Sequence, residues 1–120
     1  MRKIIFYRDR NGKEPVYEFI KNLASKNGKE YRIQLNKIQD YIEILNQYGL
    51  SAGEPYLKHL DSNIWELRPA RNRILFAAIV DDTFVLLHPF VKKTKKTPKR
   101  EIERAKREFK DYLERRDLDE

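Results

Sequence analysis

The chain has 120 residues and 14.5 kDa, 40% hydrophobic and 12% aromatic, which suffices for one core and one domain spanning 1–120. No apolar run approaches the ~18 residues of a transmembrane helix, MRKIIFYRDR meets charge too early for a signal peptide, and the absence of cysteine removes disulfides, thiol nucleophiles and zinc–thiolate sites. The net charge of +7 is confined to one segment, because residues 91–110 hold ten Lys/Arg against three Glu while the other 100 residues are balanced.

A basic segment this concentrated suits a phosphate backbone, with a solvated lysine-rich helix face as the plainer alternative. These features together predict a cytoplasmic protein with no membrane contact.

Lys3–Arg8 reads as a short strand ended by the turn residues Asp9-Arg10-Asn11-Gly12. Pro15 opens a helix at the position where a missing N–H is harmless, and Val16, Phe19, Ile20 and Leu23 recur at helical spacing. A second helix is predicted over 29–48, with Tyr31, Leu35, Ile38, Ile42 and Leu45 as its stripe and Ile33 and Tyr41 widening it. Gly49 stops it, and the two helices form a hairpin laid across a sheet. Residues 50–64 look irregular, with an Asp61-Ser62-Asn63 turn. His59 in that stretch is either a proton carrier and RNA contact or a plain surface residue.

Three successive strands follow: Trp65–Pro69, Asn72–Val80 and Phe84–Val91. Pro69-Ala70-Arg71-Asn72 is turn chemistry, since proline presets φ and asparagine tolerates the left-handed region. A four-residue loop there puts Arg68 opposite Arg73 on one face. Like charges so placed cost roughly 0.2–1 kcal/mol, so an anion is expected between them. A two-residue Asp81-Asp82 loop would pair Arg73 with Phe90 and set His88 opposite Leu75. A three-residue loop would instead bring Val91 to Arg73. His88 is then an RNA contact or a half-buried histidine satisfied by a neighbour. Pro89 removes a ladder donor, which fits an edge or a bulge. Thr97 reads as the N-cap of a last helix with Pro98 in its first turn. Ile102, Ala105, Phe109, Tyr112 and Leu113 form its stripe, Lys99, Arg100, Arg104, Lys106 and Arg107 its other faces, and 115–120 a charged tail.

Phosphate is the natural ligand of Arg68 and Arg73, since planar guanidiniums bind its oxygens bidentately and can stabilise the charge of a pentacoordinate phosphorane. Phe90 offers a face for an unpaired base. Lys92 and Lys93 head a cluster continued by Lys95 and Lys96, and one of these lysines is the candidate general base for a ribose 2′-hydroxyl. Glu66, on the face of Arg68, is a competing base or a salt-bridge partner. Arg71, Lys95, Lys96, His59 and His88 complete the candidate RNA contacts. Such a ribonuclease needs no metal and no cofactor, because its nucleophile comes with the RNA.

The stretches IIFYRDRNGKEPVYEFI, YLKHLDSNIWELRP, NRILFAAIVDDTFVLLHPFVKKTKKTP and EIERAKREFKDYL resemble the RelE/ParE superfamily of bacterial toxins, in particular its phage-derived HigB-like branch. The resemblance implies an α/β (α+β) RelE-like fold of microbial-ribonuclease type. It would have a mainly antiparallel sheet with helices on one side, an N-terminal helical hairpin and a basic C-terminal helix. It further implies a type II toxin that cleaves mRNA on the ribosome. Arg68 and Arg73 would bind phosphate, a lysine among Lys92 and Lys93 would act as base, and Phe90 would stack a base. The implied partners are a HigA-like helix-turn-helix antitoxin, the ribosome with its mRNA, and operator DNA only through the antitoxin. Pro89 departs from the small residue more common in relatives. Some relatives use a histidine, tyrosine or aspartate near the chain end for proton transfer; here that region is a charged helix ending Arg115-Arg116-Asp117-Leu118-Asp119-Glu120, and that mechanism does not carry over. A ParE-like gyrase-poisoning toxin and a non-catalytic basic nucleic-acid-binding module are the alternatives, and substitution kinetics at Arg73 separate chemistry from mere binding.

Overall fold

The computed structural model of the protein describes residues 2–119. Its elements are β1 (Lys3–Phe6), α1 (Pro15–Ser25), α2 (Lys29–Tyr48), β2 (Leu57–Asp61), β3 (Ile64–Leu67), β4 (Asn72–Ile79), β5 (Thr83–Val91) and α3 (Lys99–Asp119). The five strands form one sheet in the order β1-β5-β4-β3-β2. Only the β1–β5 pair is parallel, and the others are antiparallel. This is the expected α+β arrangement. The stretch 50–64, expected to be irregular, instead supplies an edge strand: Ser62, at φ +48°, takes the left-handed turn that folds β2 back against β3.

The helices cover both faces of the sheet, not one. Val16 and Leu23 of α1 and Ile38 and Leu45 of α2 pack on Leu67, Ile74, Phe76, Phe84 and Leu86. Ala105, Phe109 and Tyr112 of α3 pack on Leu75, Ala77, Val85 and Leu87. Burial on both faces explains why the central strands read as near-continuous apolar runs. Gly49 closes α2 with φ +61°, where any side chain would strain the backbone. Ile33, expected on the apolar side of α2, is 55% exposed. Residues 115–119 continue α3 instead of forming a tail, with Arg115 bonded to Asp111 one turn back; Glu120 lies outside the described residues. No helix among the described residues is long and apolar enough to cross a membrane.

The register at the end of the sheet positions the site. Leu67 pairs with Ile74, so the next residues outward, Arg68 and Arg73, face one another across the turn. The left-handed residue in that turn is Ala70 (φ +58°), not Asn72, and Asn72 N–H donates to Pro69 O. On the other side, the β4–β5 connection is Val80-Asp81-Asp82, with Ile79 opposite Thr83. That three-residue loop alone would displace the pairing by one. A bulge restores it: Phe76 pairs with Leu86 but Leu75 pairs with His88, leaving Leu87 as the extra residue, and Arg73 meets Phe90 as the two-residue loop predicted. The bulge also accounts for Pro89. Lys92 N–H donates to Arg71 O at 2.8 Å, so His88, Phe90 and Lys92 turn their backbone polar groups toward β4. Pro89 therefore faces the side where β1 has already ended, opposite Leu86. Its missing N–H costs no ladder bond.

Candidate functional site

At this end of the sheet the anion expected between the two arginines is Glu66. Its side chain is only 3% exposed. Its Oε1 lies 3.5 Å from Arg68 Nε and 3.7 Å from Arg73 Nε, and its Oε2 accepts a 2.5 Å hydrogen bond from Thr97 Oγ1. Both carboxylate oxygens are thus engaged, which suits a salt bridge better than a general base. Thr97 spends its hydroxyl on Glu66. The carbonyl that accepts the first N–H groups of α3 belongs to Pro98, so Pro98, not Thr97, stands at the helix entrance. One threonine therefore ties the lysine-bearing strap to the floor of the site.

The two arginines are not equivalent. Arg73 is 6% exposed, and its Nη1 donates to Ala70 O at 2.6 Å and Asn72 O at 2.9 Å. Burial pulls its pKa below the ordinary arginine value, and the neighbouring Glu66 carboxylate opposes that shift. Arg73 is a floor residue holding the turn and the carboxylate together. Arg68 stands at the mouth, with a side chain 23% exposed. Its Nε is buried yet makes no hydrogen bond among the described residues, because Glu66 sits at ion-pair rather than hydrogen-bond distance. A buried guanidinium donor without a partner is costly unless a ligand supplies the acceptor.

Above this floor lies the rim. Glu66, Arg68, Arg73, Phe90, the strap Lys92–Lys96, Thr97 and Pro98 line one small cavity of about 10 Å³, room for about one water. The cavity is therefore too small to hold a phosphate. Lys92, Lys93, Lys95 and Lys96 are all exposed there, and Phe90 is half-buried. Arg71 is exposed on the turn beside them.

Two sequence candidates are not brought to the site. His88 is fully buried under α3, with Nδ1 2.5 Å from Glu108 Oε1 and Nε2 3.0 Å from Glu101 Oε1. No RNA can reach it, and it anchors α3 to β5 instead. The sequence holds a signal for this: Glu101, Ala105 and Glu108 fall at i, i+4 and i+7, so the two carboxylates share the face that Ala105 buries. His59 lies on β2 rather than in a loop and pairs with Trp65, one residue out of phase with Glu66 and so on the opposite face of the sheet. Its Nε2 is 2.7 Å from Ser62 O and its ring packs edge-on against Trp65. Lys106, expected on a free face of α3, is bonded to Asp61.

A sequence model of the family described as "Phage derived protein Gp49-like (DUF891)" matches residues 18–110. That span covers most of the helical hairpin, the four antiparallel strands and the basic start of α3, and the chain belongs to this family. A search of curated proteins finds no match.

Proposed function

We propose that this Gp49-like protein is the toxin of a type II toxin–antitoxin pair, close to the HigB type, and that it cleaves mRNA on the ribosome. The observation that carries the reading is the cationic excess at this end of the sheet: Arg68 and four exposed lysines around a buried arginine–glutamate floor, with one aromatic ring beside them. Cations that outnumber their carboxylates, at a site open on one side, suit a phosphodiester. RelE-like character of the family supports a toxin, and the finer assignment is our own.

In the proposed reaction a strap lysine, Lys92 or Lys93, takes the proton of a ribose 2′-hydroxyl. The freed oxygen attacks the adjacent phosphorus, and the bond from phosphorus to the 5′-oxygen breaks. The products are a 2′,3′-cyclic phosphate and a 5′-hydroxyl, the leaving oxygen being reprotonated. Arg68 carries the added charge of the phosphorane, and Arg73 keeps the floor rigid so that no reorganisation is needed as the charge develops. Phe90 stacks a base, and Arg71, Lys95 and Lys96 hold neighbouring phosphates. A shallow site positions a flexible strand poorly, so the ribosome supplies the fixed geometry. The partners we propose are a HigA-like helix-turn-helix antitoxin that masks the basic rim, the ribosome with its mRNA, and operator DNA through the antitoxin alone. All of these are cytoplasmic.

The test adds the purified, antitoxin-free protein to ribosomes translating a defined mRNA, with and without EDTA, and maps cuts by primer extension. Discrete cuts in the decoding site that persist in EDTA and leave 5′-hydroxyl ends are expected. Intact mRNA from a preparation that arrests growth overturns the reading and directs the next assay to gyrase-linked DNA breaks.

A further inference from the structure

The end of the sheet has a second concavity that the reaction above does not use. It lies between the first turns of α2 and the β3–β4 turn, on the opposite face from Arg73 and Phe90, and holds about 370 Å³. Its walls include two exposed aliphatic side chains, Ile33 at 55% and Val91 at 44%, with the Glu30 carboxylate beside them. Its base carries an amide pair, Asn72 Nδ2 donating to Gln34 Oε1 at 3.2 Å, and Arg71 stands at its lip.

We propose that this groove is a nucleobase subsite, holding the base on one side of the phosphate bound at Arg68, while Phe90 serves the base on the other. The proposal rests on the RNA-cleaving reading. Three features argue for this occupant. The groove adjoins the cationic mouth through the backbone: Asn72 and Arg73 are consecutive, and their β5 partners Val91 and Phe90 are consecutive too, so each site takes one face of the same pair of strands. Two aliphatic walls over a polar base suit a flat heterocycle with an edge of donors and acceptors, and the volume admits one nucleotide. The Gln34 amide nitrogen and the Asn72 amide oxygen are not used in their mutual bond, and together they offer one donor and one acceptor to a base edge. A strand rounding the sheet end at Arg71 thus has its phosphate and one base on the α3 face, at Arg68 and Phe90, and the other base in the groove on the opposite face.

The test uses ribosomes carrying mRNAs in which the nucleotide on either side of the mapped cut is replaced, one at a time, by an abasic residue. Single-turnover cleavage is compared for the unaltered protein and for Ile33→Ser, Val91→Ser and Gln34→Ala, all at positions outside the core. Each variant is expected to cleave about 10-fold more slowly and to become indifferent to the abasic residue on one side of the cut only. Phe90→Ala is expected to do the same for the other side. Variants that cleave at the unaltered rate, with both abasic effects intact, overturn the subsite and leave the ribonuclease reading standing. Variants that cleave normally but lose affinity for the antitoxin overturn it in favour of a protein-docking groove. No cleavage by the unaltered protein overturns both readings.

Discussion

Two ionic clusters lie on the α3 face of this sheet, centred on Glu66 and His88, which flank Leu75 of β4 from either side, and they are built in opposite ways. At one, His88 of β5 is bracketed by Glu101 and Glu108 of α3, and Arg104 closes the outer oxygen of Glu108 at 3.2 Å. Every group there has a protein partner. At the other, Glu66 serves two guanidiniums and a threonine, Arg68 also meets the exposed Glu54 at 3.9 Å, and exposed lysines crowd the rim. The first cluster is closed and joins a helix to a sheet. The second has more cations than carboxylates, and the proposed reading rests on that excess. Burial and ion pairing do not separate the two clusters, since both have them; the charge imbalance does.

The largest effect expected from breaking the contrast is at the floor. Arg73→Ala leaves the buried Glu66 with Arg68 alone and removes both bonds to the turn carbonyls of Ala70 and Asn72, and should destabilise the protein by about 3–5 kcal/mol in urea unfolding, so its loss of activity will be a loss of fold. Adding Glu66→Leu to that variant should recover a good part of the stability, because the uncompensated charge is then gone. Arg68→Ala should behave in the reverse manner. At the mouth its removal should change stability little, while cleavage should fall roughly 100- to 1,000-fold, the scale for losing one donor to a developing oxyanion. At the closed cluster, His88→Ala should cost about 2 kcal/mol by leaving two carboxylates facing an apolar gap. The folded fraction should still cleave at the unaltered rate. If His88→Ala abolished cleavage in fully folded protein, the two clusters would not be functionally distinct.

The smallest effect concerns pH and a third closed network, where α3 meets β1. Tyr7 donates to Asp111 at 2.6 Å, and Asp111 also accepts from Arg10 and Arg115. Arg115 holds the Asp111 carboxyl well below the ordinary carboxylate range, and burial together with Asp111 pushes the Tyr7 hydroxyl well above the ordinary tyrosine value. The signs follow from linkage. The Asp111 contribution is present above its unfolded pKa of about 3.9 and is lost as pH falls below it. The Tyr7 contribution is present below its unfolded pKa of about 10 and declines as pH rises past it. Thermal unfolding followed from pH 3 to pH 11 should show both limbs, with Tyr7→Phe flattening the alkaline one.

Much of the site was legible in the sequence, and for physical reasons. The two-residue period of a strand and the turn chemistry of Pro69–Asn72 place Arg68 against Arg73 whatever the rest of the fold does. The Arg73–Phe90 pairing was also anticipated, although the route to it differs, because a longer loop and the bulge at Leu87 cancel. Pro89 was the visible hint of that bulge. What escaped depends on contacts distant in sequence. Thr97 followed by Pro98 satisfies the local rule for a helix cap, and only the approach of β3 shows its hydroxyl going to Glu66. Strand β2 escaped because an edge strand with Lys58 and His59 exposed lacks apolar alternation. His88 was placed on the correct face, but what covers that face is α3, whose position no local pattern encodes. Ile33 fitted the helical stripe yet sits where α2 overhangs the sheet end.

One measurement tests the central claim, that the unbalanced cluster acts on RNA phosphate through Arg68. Single-turnover cleavage of ribosome-bound mRNA should be compared for the unaltered protein and Arg68→Ala, with circular dichroism confirming equal folding and binding measured separately. The account predicts that ribosome affinity stays within a few fold while the cleavage step slows roughly 100- to 1,000-fold. Cleavage by folded Arg68→Ala at the unaltered rate would contradict it.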